Sequence, residues 1–160
     1  MQTSEQGIKM ITAFEGIEEK AYKCPSGVWT IGVGHTGKVD GSPINAGMHI
    51  TQEKAMQLLR QDLAHFEEYI NAEPYAKKLQ QHQFDALISF IFNIGTAAFH
   101  TSTMRRKLRI GADKDSIAAE FGRWVYGNAD GRKNKLPGLV RRRKIEAEMF
   151  LGTNSKEVKQ

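Results

Sequence analysis

A carboxyl, a thiol and a hydroxyl stand at short range near the start of the chain. Glu15 is followed after eight residues by Cys24, and Cys24 after five more by Thr30. Glu15 closes an apolar helical pattern, directly after Phe14 and before Gly16. A carboxyl set against apolar neighbours is disfavoured in its charged form, so it can donate a proton near neutrality. The same position also suits a helix-end carboxylate paired with an arginine. Thr30 brings a hydroxyl that both donates and accepts, and so can orient a water. Cys24 brings a thiol whose ordinary pKa of about 8.5 leaves only a few per cent as thiolate at pH 7. It is either a base activated by its surroundings or a small polarizable filler beside a water-holding Thr30. An acid on one side of a scissile bond and a positioned water on the other are what glycosidic cleavage requires.

Other chemistries find less support. A single cysteine excludes an internal disulfide and a zinc site built on several thiolates. The five histidines (35, 49, 65, 82 and 100) include no H-E-x-x-H and no pair on one helix face. Neither a metal nor a cofactor is expected. The net charge of +5 is uneven: residues 105–144 hold 13 Lys/Arg against 4 Asp/Glu. One end is basic and suits a polyanion such as nucleic acid, an anionic membrane surface or an acidic wall polymer, although each basic run also reads as a solvated helix face. No stretch approaches the ~18 apolar residues of a membrane span. Glu5, Lys9, Glu15, Glu18 and Glu19 break up the first twenty residues, so no export signal or signal anchor is expected there.

These groups need elements to hold them. At 160 residues with 40% apolar content, the chain fits one domain or two small lobes. Residues 4–15 read as a helix with Ser4 as N-cap. From 22 to 50, glycines interrupt short apolar alternations, the pattern of a small antiparallel sheet with tight turns. Thr51 caps a long helix through Ala55, Leu59, Leu63, Phe66 and Ile70, ending before Pro74. Phe84, Leu87, Ile88, Ile91 and Phe92 predict a helix stopped by Gly95. Further helices are expected over 101–110, 114–126 and 138–151, with a polar loop over 127–138. The fold class is therefore α+β, its sheet confined to the N-terminal third, with a ligand groove expected where a sheet lobe meets a helical lobe.

The string Glu15-x8-Cys24-x5-Thr30, continuing Ile31-Gly32-Val33-Gly34-His35, resembles the phage-type lysozymes of glycoside hydrolase family 24. Their signature is Glu, eight residues, Asp or Cys, five residues and Thr, with T-I-G-x-G-H. Further blocks match in order: Gln83 to Leu87, Ser89-Phe90, Phe92 to Gly95, Phe99, Thr101 to Thr103, Arg123-Trp124, and Gly138 to Arg143 through Glu146. The resemblance implies a lysozyme-like fold: a sheet lobe over about 16–50, a connecting helix over about 51–72, and a helical lobe over about 75–155 that includes helix 4–15. It implies Glu15 as general acid, with Cys24 and Thr30 holding the attacking water. His35 would form a structural ion pair with Asp62. Thr36, Phe92, Asn93 and Ser102 would line the sugar sites, and one of Arg141, Arg142 and Arg143 would approach Glu15. Trp124, at helical spacing from Ile117 and Phe121, reads as core.

The activity implied is muramidase cleavage of the β-1,4 bond between N-acetylmuramic acid and N-acetylglucosamine, with inversion and no cofactor. The chain would be a monomeric phage endolysin, held in the host cytoplasm until a separate holin-like protein releases it to the periplasm. Its basic C-terminal face would meet an anionic outer-membrane surface rather than nucleic acid. Two other readings stay open at this stage: a lytic transglycosylase of the same fold, and a non-catalytic basic module binding wall or nucleic acid.

Overall fold

The computed structural model describes residues 1–129 and 132–153. The chain forms two units, Lys9–His65 and Met1–Ile8 with Phe66–Gln160. Helices α1 (Glu5–Glu15) and α2 (Gln52–Asn71) carry the chain from one unit to the other.

In the first unit, β1 (Glu18–Lys23) pairs antiparallel with β2 (Trp29–Gly32), placing Tyr22 opposite Thr30 and Lys23 opposite Trp29. β1 begins four residues before the expected sheet. Its sequence Glu-Glu-Lys-Ala-Tyr-Lys is almost wholly exposed and has no apolar alternation, so pairing with the buried β2 makes it a strand. Beneath the sheet, Ile31, Val39, Ile44, Ile50, Ala55 and Leu58 form a core flanked by Ile17, Ala21, Trp29, Met48 and Met56. Each fully buried aliphatic side chain contributes about 1.5–3 kcal/mol. The tight turn after β2 bonds Ile31 and His35 to each other in both directions at 2.9 Å. It needs left-handed backbone at Gly32 (φ 67°) and Gly34 (φ 66°), which explains both glycines of the T-I-G-x-G-H string. As expected, the Thr51 hydroxyl caps α2, accepting from the Lys54 N–H at 3.1 Å.

The second unit is built around α3 (Gln81–Ile94). Every residue from Phe84 to Ile91 is buried, as in a helix covered on all sides. The Phe90 ring meets Phe99, Phe121 and Trp124 edge-on, with centroids 6.4, 5.1 and 5.9 Å away. Such pairs each contribute about 0.5–1.5 kcal/mol beyond area burial. Trp124, half-buried, thus packs its ring against this core. The helix expected over 101–110 is α5 (Thr103–Ile110), starting two residues later because Ser102 takes extended backbone and caps it, and a short helix α4 (Thr96–His100) precedes it. Helix α6 (Lys114–Phe121) stops at Gly122 rather than at 126, and α7 (Pro137–Leu151) matches expectation.

The polar stretch after Trp124 is not a loop but a second antiparallel pair, β3 (Tyr126–Ala129) with β4 (Arg132–Lys135). The sheet content is therefore not confined to the N-terminal third. This hairpin has no buried apolar face, so apolar alternation could not announce it. Its sequence signal is Asp130-Gly131, a favoured hairpin dipeptide that lies outside the described residues. Among the described residues, no helix is long and apolar enough to cross a membrane.

Candidate active site

Glu15 is the last residue of α1, where Gly16 turns the chain away at φ 75° and bonds back to the Thr12 carbonyl at 2.8 Å. The carboxyl is exposed. Its apolar surroundings along the chain do not enclose it, contrary to what the Phe14-Glu15-Gly16 sequence suggested. Cys24 follows β1 at the start of a tight turn: the Gly27 N–H donates to the Cys24 carbonyl at 2.8 Å, and the Cys24 N–H donates to the Val28 carbonyl at 3.0 Å. Pro25 suits the second position of that turn because its ring presets φ.

Within the turn, the Cys24 Sγ lies 2.9 Å from the Ser26 Oγ. The thiol pKa is lowered to about 7, first by the Ser26 hydroxyl and then by the Val28 backbone. A donor aimed at sulfur favours the thiolate. The lowered pKa favours the thiolate near neutrality more than an ordinary cysteine's would. The activation comes from neutral hydrogen bonds rather than from the basic region. Thr30, on β2, is buried and donates its hydroxyl to the Val28 carbonyl at 3.0 Å. Its oxygen then has lone pairs to accept with.

Tyr22 belongs to the same cluster. Partial burial pushes its phenol pKa up, and the charges of Glu18, Cys24 and Glu15 push it further. Glu15 and Cys24 thus both act on one ring. The motif drew attention to neither Ser26 nor Tyr22. The Pro25-Ser26-Gly27 turn signature, with a hydroxyl two residues from the thiol, was the available signal for Ser26.

His35 is buried and holds Asp62 through Nδ1 at 2.8 and 3.0 Å, while Nε2 meets the Lys38 carbonyl at 3.0 Å. The pair ties the turn after β2 to α2. His35→Ala should lower unfolding free energy by about 1–3 kcal/mol, the range for breaking a partly buried charged hydrogen bond. Denaturant melts test this, and an unchanged midpoint would show that the tie is idle.

Thr36 is exposed next to His35. The other proposed sugar contacts lie in the second unit. Phe92 is half-buried, edge-on to Phe66 at 5.7 Å. Asn93 is exposed and accepts from Arg143 Nη2 through its side-chain carbonyl. Ser102 is buried: its hydroxyl donates to the Phe99 carbonyl at 2.7 Å and accepts from the Arg105 N–H at 3.1 Å.

Much of the basic run is matched internally. Glu73 holds Arg105 and Arg109 at 2.7 and 3.3 Å, and Glu120 holds Lys107 and Arg123 at 2.7 and 3.2 Å. Glu146 holds Arg142 and Arg143, both at 3.0 Å. Arg142 also donates to the Ser89 carbonyl at 3.0 Å, and the Arg143 guanidinium sits 4.9 Å from the Phe90 centroid. Arg142 and Arg143 are therefore buried, and Arg141 and Lys144 carry the outward charge of that helix.

A family model described as phage lysozyme matches residues 12–146. The endolysin of Acyrthosiphon pisum secondary endosymbiont phage 1 is 41% identical over 150 residues, 94% of this chain and 98% of that protein. The endolysin of Salmonella phage P22 is 42% identical over 151 residues, 94% of this chain and 99% of its own length. Among solved structures, a point mutant of P22 lysozyme superposes with a TM-score of 0.83 at 41% identity, covering 94% of this chain and 99% of that one.

Proposed function

The chain belongs to the phage lysozyme family, and on that premise we propose how its residues perform the reaction. It is a lysozyme of the endolysin type, a muramidase acting on peptidoglycan. Glu15 donates its proton to the glycosidic oxygen as the bond to the sugar carbon breaks. A water on the opposite face donates one hydrogen to the Cys24 sulfur and the other to the Thr30 oxygen, whose own hydrogen is held by the Val28 carbonyl. The water's free lone pair attacks the sugar carbon, and its proton passes to the thiolate. Glu15 then regains a proton from solvent and Cys24 returns one, which completes the cycle. With no carboxylate nucleophile at position 24, the displacement is single and the anomeric configuration inverts. Acid, base and water suffice, and no cofactor enters.

The observation that carries this reading is the Cys24 thiol, its pKa lowered by Ser26 on the turn that leads into β2 and Thr30. Asn93 complements it. With its carbonyl engaged by Arg143, its NH2 is oriented to donate to an N-acetyl carbonyl. We assign Thr36 and Phe92 to sugar contacts, and Ser102 to holding the start of α5 through its cap.

In the cell, we assign the chain to the host cytoplasm until a separate holin-like protein opens the membrane, after which it works as a monomer in the periplasm. Exposed Arg106, Arg141 and Lys144 are suited to an anionic outer-membrane surface. The experiment is expression in a Gram-negative host. Turbidity should hold until the inner membrane is permeabilised and then fall within minutes. No fall after permeabilisation would overturn the activity, and prompt lysis without it would overturn the release route.

A further inference from the structure

The reaction above leaves the hairpin β3–β4 unused. In its register Tyr126 lies opposite Lys135, and Asn128 opposite Lys133. Directly opposed residues, and residues two apart on a strand, share a face of the sheet. Tyr126, Asn128, Lys133 and Lys135 therefore stand on one face, and all four are exposed. The Tyr126 side chain is 53% exposed, with the Lys133 ammonium 5.8 Å from its ring centroid. The reverse face is the packed one. A Cβ at Gly127 would come within 2.5 Å of Leu136 and 4.0 Å of Leu139, so the backbone lies directly on the start of α7. That contact holds the Tyr126 face outward. Neither strand carries a carboxylate, their sequences being Tyr-Gly-Asn-Ala and Arg-Lys-Asn-Lys.

A single exposed aromatic needs no explanation. An aromatic ring, an amide and two ammonium groups fixed on one outward face, with no acid on either strand, make a composite surface. Its parts match an anionic glycopeptide. A ring stacks on the apolar face of a sugar, an amide bonds an acetamido group, and ammonium groups pair with carboxylates. Lys133 and Lys135 are about 7 Å apart along the strand, the pitch of alternate residues in an extended peptide. A phospholipid headgroup offers no acetamido group for the amide to recognise, and single-stranded nucleic acid is held by several successive stacking platforms rather than one.

We propose that this face is a second contact for peptidoglycan, in which Tyr126 and Asn128 take the glycan and Lys133 and Lys135 take carboxylates of the stem peptide. The proposal rests on the lysozyme reading, since it names a further binding surface for the same substrate. It makes the hairpin a device for holding the strand, not for cleaving it.

The test compares turnover of purified sacculi by the full chain with turnover by Tyr126→Ala and by the double variant Lys133→Gln/Lys135→Gln. All three should have matching melting curves, because the altered side chains are exposed. The expected result is a KM about five- to tenfold higher for each variant with kcat unchanged, the mark of lost uniform binding. On glycan strands stripped of stem peptides by an amidase, the double-lysine variant should match the parent while Tyr126→Ala stays impaired. Lys133→Arg/Lys135→Arg should restore the parent KM on sacculi.

An unchanged KM on sacculi for both variants would overturn the site, as would a lysine defect that persists on stripped strands. A defect seen only in binding to phosphatidylglycerol vesicles or to a single-stranded oligonucleotide would overturn it in favour of that partner. A parent chain that releases nothing from sacculi contradicts the lysozyme reading itself, whereas an active parent with unaffected variants removes this surface alone.

Discussion

Glu15→Gln should leave the protein folded and lower peptidoglycan turnover by about a thousandfold or more. Gln is close to isosteric with Glu and keeps its hydrogen-bonding oxygen, but it has no proton to give to the leaving oxygen. Loss of a positioned general acid lowers rates by about 10²–10⁴. A thousandfold corresponds to about 4 kcal/mol, because each 1.36 kcal/mol is a factor of ten. Glu15 ends a helix and is exposed, and changes at such positions usually move stability by no more than about 0.5 kcal/mol. Dye release from labelled sacculi reads the activity, and a thermal melt reads the fold. Activity within tenfold of the parent, with an unchanged melt, would sink the acid assignment.

The second large effect falls on Cys24. Removing the base with Cys24→Ala should lower activity by about ten- to a thousandfold. Cys24→Asp should retain it, since a carboxylate is already ionised at pH 7 and accepts a hydrogen bond from water. The physical basis is testable on the thiol itself. A depressed pKa means the thiolate persists above about pH 7 and is lost as pH falls through that value. The rate of iodoacetamide alkylation should follow that midpoint. Ser26→Ala removes the largest contribution to the shift, so the midpoint should rise toward the ordinary thiol value. Full activity in Cys24→Ala would mean that Thr30 holds the water unaided.

Glu15, Cys24 and Thr30 stand out in the chain because few residue types could serve as acid, base and water-holder, and the turn from β1 into β2 joins Cys24 to the strand that carries Thr30. The His35–Asp62 tie came from the resemblance, and the geometry places both carboxylate oxygens within 3.0 Å of the ring. Helices with apolar residues at helical spacing, such as α2 with its buried stripe and α3, buried all round from Phe84 to Ile91, were legible from periodicity. Structure that hides no apolar surface was not: β1 and the β3–β4 hairpin are strands by backbone pairing, which leaves no hydrophobic trace. Ser102 set the start of α5 two residues later than expected because a serine hydroxyl caps as readily as it faces solvent. The charge run misled in a similar way. Composition counts Arg142 and Arg143 as surface charge, but burial against Glu146 and Phe90 turns both inward.

Single-displacement hydrolysis by Glu15 and a water held on Cys24 and Thr30 is tested most directly by the stereochemistry of the new reducing end. Purified sacculi digested in an NMR tube reveal the first-formed anomer of N-acetylmuramic acid before mutarotation scrambles it. The expected product is the α-anomer, inverted from the β-linked substrate. First-formed β-anomer would mean a covalent or retained path that this site cannot supply, and a 1,6-anhydro end would mean that the sugar's own hydroxyl, not the held water, attacks; either result contradicts single-displacement hydrolysis.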